Sequence, residues 1–155
     1  HVNCGNSNLK ELFLSTRIIS MEKIKWKNDF SINVPVIDEE HKLFILIINK
    51  AIAAIQKNNE REKVSDALNE MTLYALSHFK HEEEYMINFD YPEYLLHKKE
   101  HSDFLMATVD FCKSAMNKNY HISDDLFKYL KKWLEEHIQK TDRKLTECFN
   151  KNGLN

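Results

Sequence analysis

Seven ionisable side chains fall on the apolar stripes of four helix-length segments: His41, His78, Glu82, His97, His101, His137 and Asp142. Burying such groups is costly unless they are paired or bind a metal. A chain that turns five imidazoles and two carboxylates toward its own core needs a helical fold that aligns them and a chemistry that compensates them.

The stripes are read from spacing. An extended arm from about Ile24 to Ile37 carries Trp26, Phe30, Val34 and Val36, and Pro35 disfavours helix within it. Asp38 stands as an N-cap, and Glu39 and Glu40 suit the positive end of a helix dipole. A first helix is expected over 39–57, with His41, Phe44, Ile45, Ile48, Ile52 and Ile55 inward at three-and-four spacing. Asn58 and Asn59 end it. A second, over 62–88, alternates the same way through Val64, Leu68, Met71, Ala75, His78 and Glu82, continuing to Tyr85 and Phe89. Asp90, Tyr91 and Pro92 form the next junction, with Pro suited to a first helical turn. A third helix running to about Asn117 turns Tyr94, His97, His101, Phe104, Thr108, Phe111 and Ala115 inward. After a polar loop over 117–121, Ser123 caps a fourth helix showing Leu126, Leu130, Trp133 and His137.

The fourth stripe then slips by one residue, to Ile138, Asp142, Leu145 and Phe149. His137 and Asp142 are five apart, about 140° around an ideal helix. A single-turn π-bulge between them would bring the two onto one face, and such bulges are frequent at functional sites. Short connections between long helices make neighbours antiparallel. The expected fold is therefore all-α, an up-down-up-down four-helix bundle with an extended N-terminal arm. Only two Gly and two Pro in 155 residues argue in the same direction, since all-β folds need more turn residues.

The domain is expected over 22–150, preceded by an extension over 1–21 and followed by a tail over 151–155. The extension is polar at first, then carries Leu12, Phe13, Leu14, Ile18 and Ile19 around Arg17. It lacks a signal-peptide layout, and Met21 is a candidate natural start. A net charge of −2 points to neither nucleic acid nor an anionic membrane. The longest apolar run, Leu43 to Ile48, is far short of the roughly 20 residues of a membrane span. Cys4, Cys112 and Cys148 make an odd set without close pairs. They read as reduced thiols of a cytoplasmic protein, with Cys112 a small apolar filler near a core stripe.

A single His-x-x-x-His or His-x-x-x-Glu is more often a surface or satisfied polar pair than a metal site. Two such pairs on successive helices, with an inward His on each remaining helix, form a much sharper pattern. Structural zinc is complete with four ligands, usually including Cys, and calcium and magnesium prefer oxygen. Five imidazoles with two carboxylates suit iron, ahead of zinc, copper or manganese. The count fits a pair of octahedral ions. With both carboxylates bridging and one shared oxide or hydroxide, a single coordination position stays open.

The chain resembles the hemerythrins, in particular the bacterial form, from about Ile24 to Phe149. The resemblance rests on Trp26 and Val36-Ile37-Asp38-Glu39-Glu40-His41, on His78-Phe79-Lys80-His81-Glu82, on His97-Lys98-Lys99-Glu100-His101, and on Trp133-Leu134-Glu135-Glu136-His137-Ile138 through Asp142. It implies a non-haem di-iron centre with an oxo or hydroxo bridge that binds dioxygen reversibly. One iron would take His97, His101 and His137. The other would take His41 and His78 and keep the open position for oxygen. Glu82 and Asp142 would bridge. Trp133, Leu134, Ile138 and Ile45 are candidates to line a dry oxygen pocket, with ordinary core packing as the alternative role, favoured for Ile45.

His1, His81 and His121 do not fit this pattern, and His81 reads as a surface residue. Glu40, Glu100 and Glu136 each precede a ligand-type histidine. Orienting an imidazole is open to them, but a solvated helix face is the expected role. Tyr85 reads as core packing. The leading function is oxygen storage, transport or delivery, with a protein partner receiving oxygen and no enzymatic activity. Sensing through a partner, a di-iron peroxidase or oxygenase, and iron storage or detoxification are the alternatives. The histidine-rich donor set argues against the enzymes, whose bundles commonly use carboxylate-rich Glu-x-x-His sites.

Overall fold

Packing of amphipathic rods on one another is the main source of order in this chain. The computed structural model describes residues 23–57, 61–117 and 122–155. The extension over 1–21, with Cys4 and His1, and the expected helix stop at Asn58 and Asn59 lie outside the described residues, as do His121 and most of the polar loop before it.

The helices are α1 (Pro35–Lys57), α2 (Arg61–Asn88), α3 (Tyr94–Met116) and α4 (Ile122–Trp133). The fourth rod continues beyond α4 as a π-helical segment (Leu134–Thr141), a 3₁₀ turn (Asp142–Lys144) and α5 (Leu145–Lys151). Cross-helix pairs establish the antiparallel order. On α1 and α2, Glu40 meets His78 while Lys50 meets Glu70. On α2 and α3, Glu83 meets His101 and Phe79 meets Phe104. On α3 and the fourth rod, Glu100 meets His137 while Phe111 meets Tyr129. Residue numbers rise on one helix of each pair as they fall on the other.

Two helix starts differ from expectation. α1 begins at Pro35, four residues before the expected 39, so Val36 belongs to its first turn rather than to the arm. Proline restricts the residue before it and lacks an N–H that a first turn does not use. Asp38 is therefore inside the helix, with its N–H donating to the Val34 carbonyl. Its carboxylate is used instead to hold the arm, accepting from Ser31 Oγ at 2.6 Å and the Ile32 N–H at 2.8 Å. α4 begins at Ile122, which places Ser123 in the first turn and not at the cap.

The arm is short and pinned. It turns through a 3₁₀ segment over Asn28–Phe30, with extended backbone at Lys27 and Ser31 on either side. Asn49 on α1 clamps it through both of its side-chain groups, accepting from the Ile24 N–H and donating to the Ile24 carbonyl. Asn33 takes a left-handed φ of 56°, a conformation that Asn tolerates better than most residues.

The apolar interior has two parts. The larger contains Phe44, Ile48, Leu68, Met71, Phe79, Phe104, Leu126, Leu130 and Trp133. The smaller, at one end, joins Ile32, Val34 and Ile37 to Met86, Tyr91, Leu145 and Phe149. Each buried aromatic or aliphatic side chain contributes about 1.5–3 kcal/mol. Along α1 the order is Ile37, His41, Phe44; along α2 it is Phe79, Glu82, Met86; along the fourth rod it is Ile138, Asp142, Leu145. A polar layer is thus clamped between two apolar ones.

Candidate metal centre

All seven singled-out side chains lie in that layer and all are buried: His41, His78, Glu82, His97, His101, His137 and Asp142. α1 supplies His41, α2 His78 and Glu82, α3 His97 and His101. The fourth rod supplies His137 and Asp142 through its π-helical segment, where the Asp142 N–H donates to the His137 carbonyl, five residues back. That wider turn stacks residues five apart and takes up the one-residue slip in the stripe.

Their nitrogen and oxygen atoms converge in two groups that share both carboxylates. In one group, Nε2 of His101 lies 3.1 Å from Nε2 of His97 and 3.1 Å from Nε2 of His137. Asp142 Oδ1 is 3.1 Å from His97 Nε2 and 3.0 Å from His137 Nε2, and Glu82 Oε2 is 3.2 Å from His101 Nε2. In the other group, Asp142 Oδ2 is 3.2 Å from His41 Nε2, while Glu82 Oε1 is 3.6 Å from both His41 Nε2 and His78 Nε2. Each carboxylate therefore turns one oxygen to each set of imidazoles. Ligand atoms at such mutual distances, within 4.8 Å across each set, are placed to hold an ion.

The donor set fits metals better than it fits itself. Both oxygens of Glu82 and of Asp142, with His41 Nε2 and His78 Nε2, are buried without a well-directed hydrogen bond, although imidazole and carboxylate atoms are close. The atoms crowd one another without pointing at one another, which is how lone pairs aimed at a common centre look. With His41 Nδ1 and His97 Nδ1 these make eight unsatisfied buried polar atoms among the described residues, a heavy cost if nothing else met them.

The electrostatics of the layer follow from the same packing. Burial pushes the His41 and His97 imidazoles down, but Asp142 and Glu82 outweigh it and hold them up at about 9 and about 10. Burial likewise opposes His137, whose imidazole is nevertheless raised by Asp142 and Glu100. Burial works against the Glu82 carboxylate, and His78, His101, His41 and His97 hold it well below its usual range. Asp142 is held well below its range too; burial and the neighbouring Glu82 oppose this, and His137 and His41 prevail.

Three carboxylates outside the layer brace ligand-type imidazoles. His78 Nδ1 donates to Glu40 Oε2 at 2.8 Å, His101 Nδ1 to Glu83 Oε1 at 3.0 Å, and His137 Nδ1 to Glu100 Oε2 at 2.6 Å. Each bond leaves Nε2 facing the layer and fixes the ring. Glu40 and Glu100 are therefore not the solvated face expected of them; both are half-buried against a neighbouring helix, and the solvated reading holds for Glu136 alone. Glu83 was not singled out in the sequence, because nothing in linear spacing shows that it meets a histidine 18 residues away.

An aromatic shell closes the three-histidine side. Phe79 stacks on His101 with centroids 3.9 Å apart and planes 6° from parallel, and Trp133 stacks on His137 at 4.4 Å. Phe79 carries no signal in the sequence, because it lies one residue off the stripe of α2. Ile45, Leu134, Ile138 and Trp133 are all buried in the larger core, with Trp133 the most exposed at 9%. Tyr85 packs on Phe89 and Phe149, against the smaller core at the end of the bundle. His81 is on the surface but bonded to Glu40 at 2.7 Å. Among the described residues Cys112 and Cys148 are free thiols, each pushed up by burial. No described helix is long and apolar enough to cross a membrane.

Comparison with known proteins agrees with this geometry. A family model described as the hemerythrin HHE cation binding domain matches residues 33–148. A bacteriohemerythrin of Stenotrophomonas maltophilia is 32% identical over 123 residues, 79% of this chain and 79% of that one. One of Clostridium acetobutylicum is 28% identical over 122 residues, 76% of this chain and 95% of that one. A myohemerythrin of Theromyzon tessulatum is 32% identical over 124 residues, 79% of this chain and 91% of that one. Among solved structures, a wild-type hemerythrin superposes with a TM-score of 0.73 at 26% identity, covering 82% of this chain and 98% of that one.

Proposed function

From the premise that the chain belongs to the hemerythrin family, we propose that its seven buried side chains hold two non-haem irons and that the protein binds dioxygen reversibly. The observation that carries this reading is the division of each buried carboxylate between two sets of imidazoles. His97, His101 and His137 are assigned to one iron, His41 and His78 to the other, and Glu82 and Asp142 to both, with an oxo or hydroxo group completing the bridge. When bound, the iron pair supplies the electrons for reversible dioxygen binding.

The chain's own residues have defined tasks in this reading. Glu40, Glu83 and Glu100 keep a proton on Nδ1 of His78, His101 and His137, so that each Nε2 presents a lone pair to the centre. Ile45, Leu134, Ile138 and Trp133, all buried in the larger core, keep water from the centre, which slows proton-driven loss of the bound ligand. A donor set of five imidazoles and two carboxylates nearly saturates the metals and favours carriage over turnover. The role assigned is storage, transport or local delivery of oxygen to a partner protein.

The test is a cycle. Iron-loaded protein is reduced, exposed to oxygen, then stripped of it, while iron content and the visible spectrum are followed. Two irons per chain and a charge-transfer band that appears and disappears over repeated cycles support the proposal. One zinc, no metal, or irreversible oxidation coupled to substrate turnover sinks it.

A further inference from the structure

Each bracing carboxylate has a second donor on its outer side. Glu100, which takes the His137 Nδ1 proton, also accepts from the Thr141 hydroxyl at 3.2 Å. Glu83, on His101, lies 3.3 Å from Lys98 Nζ. Glu40 divides its oxygens, Oε2 to His78 Nδ1 at 2.8 Å and Oε1 to His81 Nδ1 at 2.7 Å. The same three-part chain, ligand-type imidazole to carboxylate to outer donor, is built three times.

The Glu40 chain differs from the other two in what it serves and in what ends it. It alone reaches the set containing His41 and His78. Its outer donor is a second imidazole, 49% exposed, so that two hydrogen bonds lead from solvent to a side chain that is 0% exposed. Both helices contribute to this geometry. His78 and His81 are three residues apart on α2 and face α1 together, and Tyr74, also on α2, donates its hydroxyl proton to the Glu40 carbonyl. A glutamate held by one oxygen keeps much of its rotamer freedom. Held by both oxygens, between two rings on one helix face, it has one position.

We infer that His81 is a positioning residue for the two-histidine metal: by holding one oxygen of Glu40 it keeps the other on His78, and so sets the tautomer and ring orientation of that ligand. The inference rests on the assignment of His41 and His78 to one metal. Its consequence is a division of labour in which Lys98 and Thr141 act on one metal and His81 on the other. An exposed residue can then retune one metal of the pair without touching a ligand.

The experiment compares the parent chain with His81→Ala, His81→Asn and Lys98→Met. Asn keeps an N–H donor near the place of Nδ1, and both positions are at the surface, so folding is not at stake. Iron release to excess chelator is followed in time. Outer partners of metal ligands typically change affinity by about 10- to 100-fold, and His81 acts one bond further out. His81→Ala is therefore expected to speed one of two release phases by about tenfold, the lower end of that range. His81→Asn should restore it, and Lys98→Met should speed only the other phase. Unchanged phases in His81→Ala, or both phases sped equally without rescue by Asn, overturn the inference. A second readout does not depend on iron: the His78 Nδ1–H resonance of the full-length metal-free chain. Its loss to solvent exchange in His81→Ala supports the positioning role even where the two-metal reading fails. An unaltered resonance removes the role even where two irons bind.

Discussion

Glu82 and Asp142 carry more of the site than any other residues, because the two oxygens of each serve both sets of imidazoles. Glu82→Ala is expected to retain the helical fold but to lose the paired iron spectrum and at least one iron per chain. Full iron content with the parent spectrum would show that the bridging role is misassigned. Titration in the metal-free chain has a definite sign. His41 and His97 are held at about 9 and about 10, above their ordinary 6.5. Their contribution to stability is complete below 6.5 and is lost as pH rises through 9 and 10. Glu82 and Asp142 sit well below 4.5 and 3.8, so their contribution is present above those values and lost as pH falls beneath them. Thermal unfolding of the metal-free chain should thus show its maximum between pH 4.5 and 6.5 and a decline toward pH 10. Iron loading should abolish the alkaline decline, since ligand imidazoles are already neutral and their protons were released on binding. A flat metal-free profile from 6.5 to 10 contradicts this account.

The ligand-type residues were legible in sequence because each shares a stripe with apolar neighbours, and a stripe is a statement about one helix. Residues defined by contact with another helix were not legible. Glu83 and Phe79 meet His101 across the α2–α3 interface, and no spacing within α2 distinguishes them from their neighbours. The spacing of Glu40 and Glu100 suggests a solvated face for the same reason: their half-burial comes from the helix opposite.

Among the elements, the π-helical segment Leu134–Thr141 is where local regularity gives way to the site. The inward stripe before it runs Leu126, Leu130, Trp133, His137; after it, Ile138, Asp142, Leu145, Phe149. One residue more than an α-helix allows separates His137 from Asp142. Deleting the exposed Lys140 would return the rod to ordinary three-and-four spacing. We expect a metal-free protein at least as thermally stable as the parent, with iron affinity lowered by about tenfold or more, because Asp142 would lose the five-residue offset from His137 that sets one of its oxygens at His137 and the other at His41. Unfolding of the deletion variant, or unimpaired iron binding, would contradict the assignment of the bulge to function. The slip was readable in the sequence because both halves of the stripe are long. The start of α1 was not, because Pro35 is equally at home ending an arm and opening a helix. Only the packing of Ile37 into the end core and the bonds from Ser31 and Ile32 to Asp38 decide between them.

At the scale of the molecule, the fold is a polar layer held between two apolar cores. The bundle was predictable from four stripes and short connections; the division of its interior was not, because it depends on the arm folding Ile32 and Val34 against Leu145 and Phe149. The layer is expensive without metal, since it places two carboxylates and five imidazoles out of water. Metal binding is therefore linked to folding, and removing iron with a chelator should lower the unfolding temperature in proportion to the affinity lost. The most direct measurement is anomalous diffraction at the iron edge from crystals of the iron-loaded protein. Two iron peaks are predicted, one among His97, His101 and His137, the other beside His41 and His78, with Glu82 and Asp142 reaching both. A single peak, or iron bound away from these carboxylates, would contradict the account.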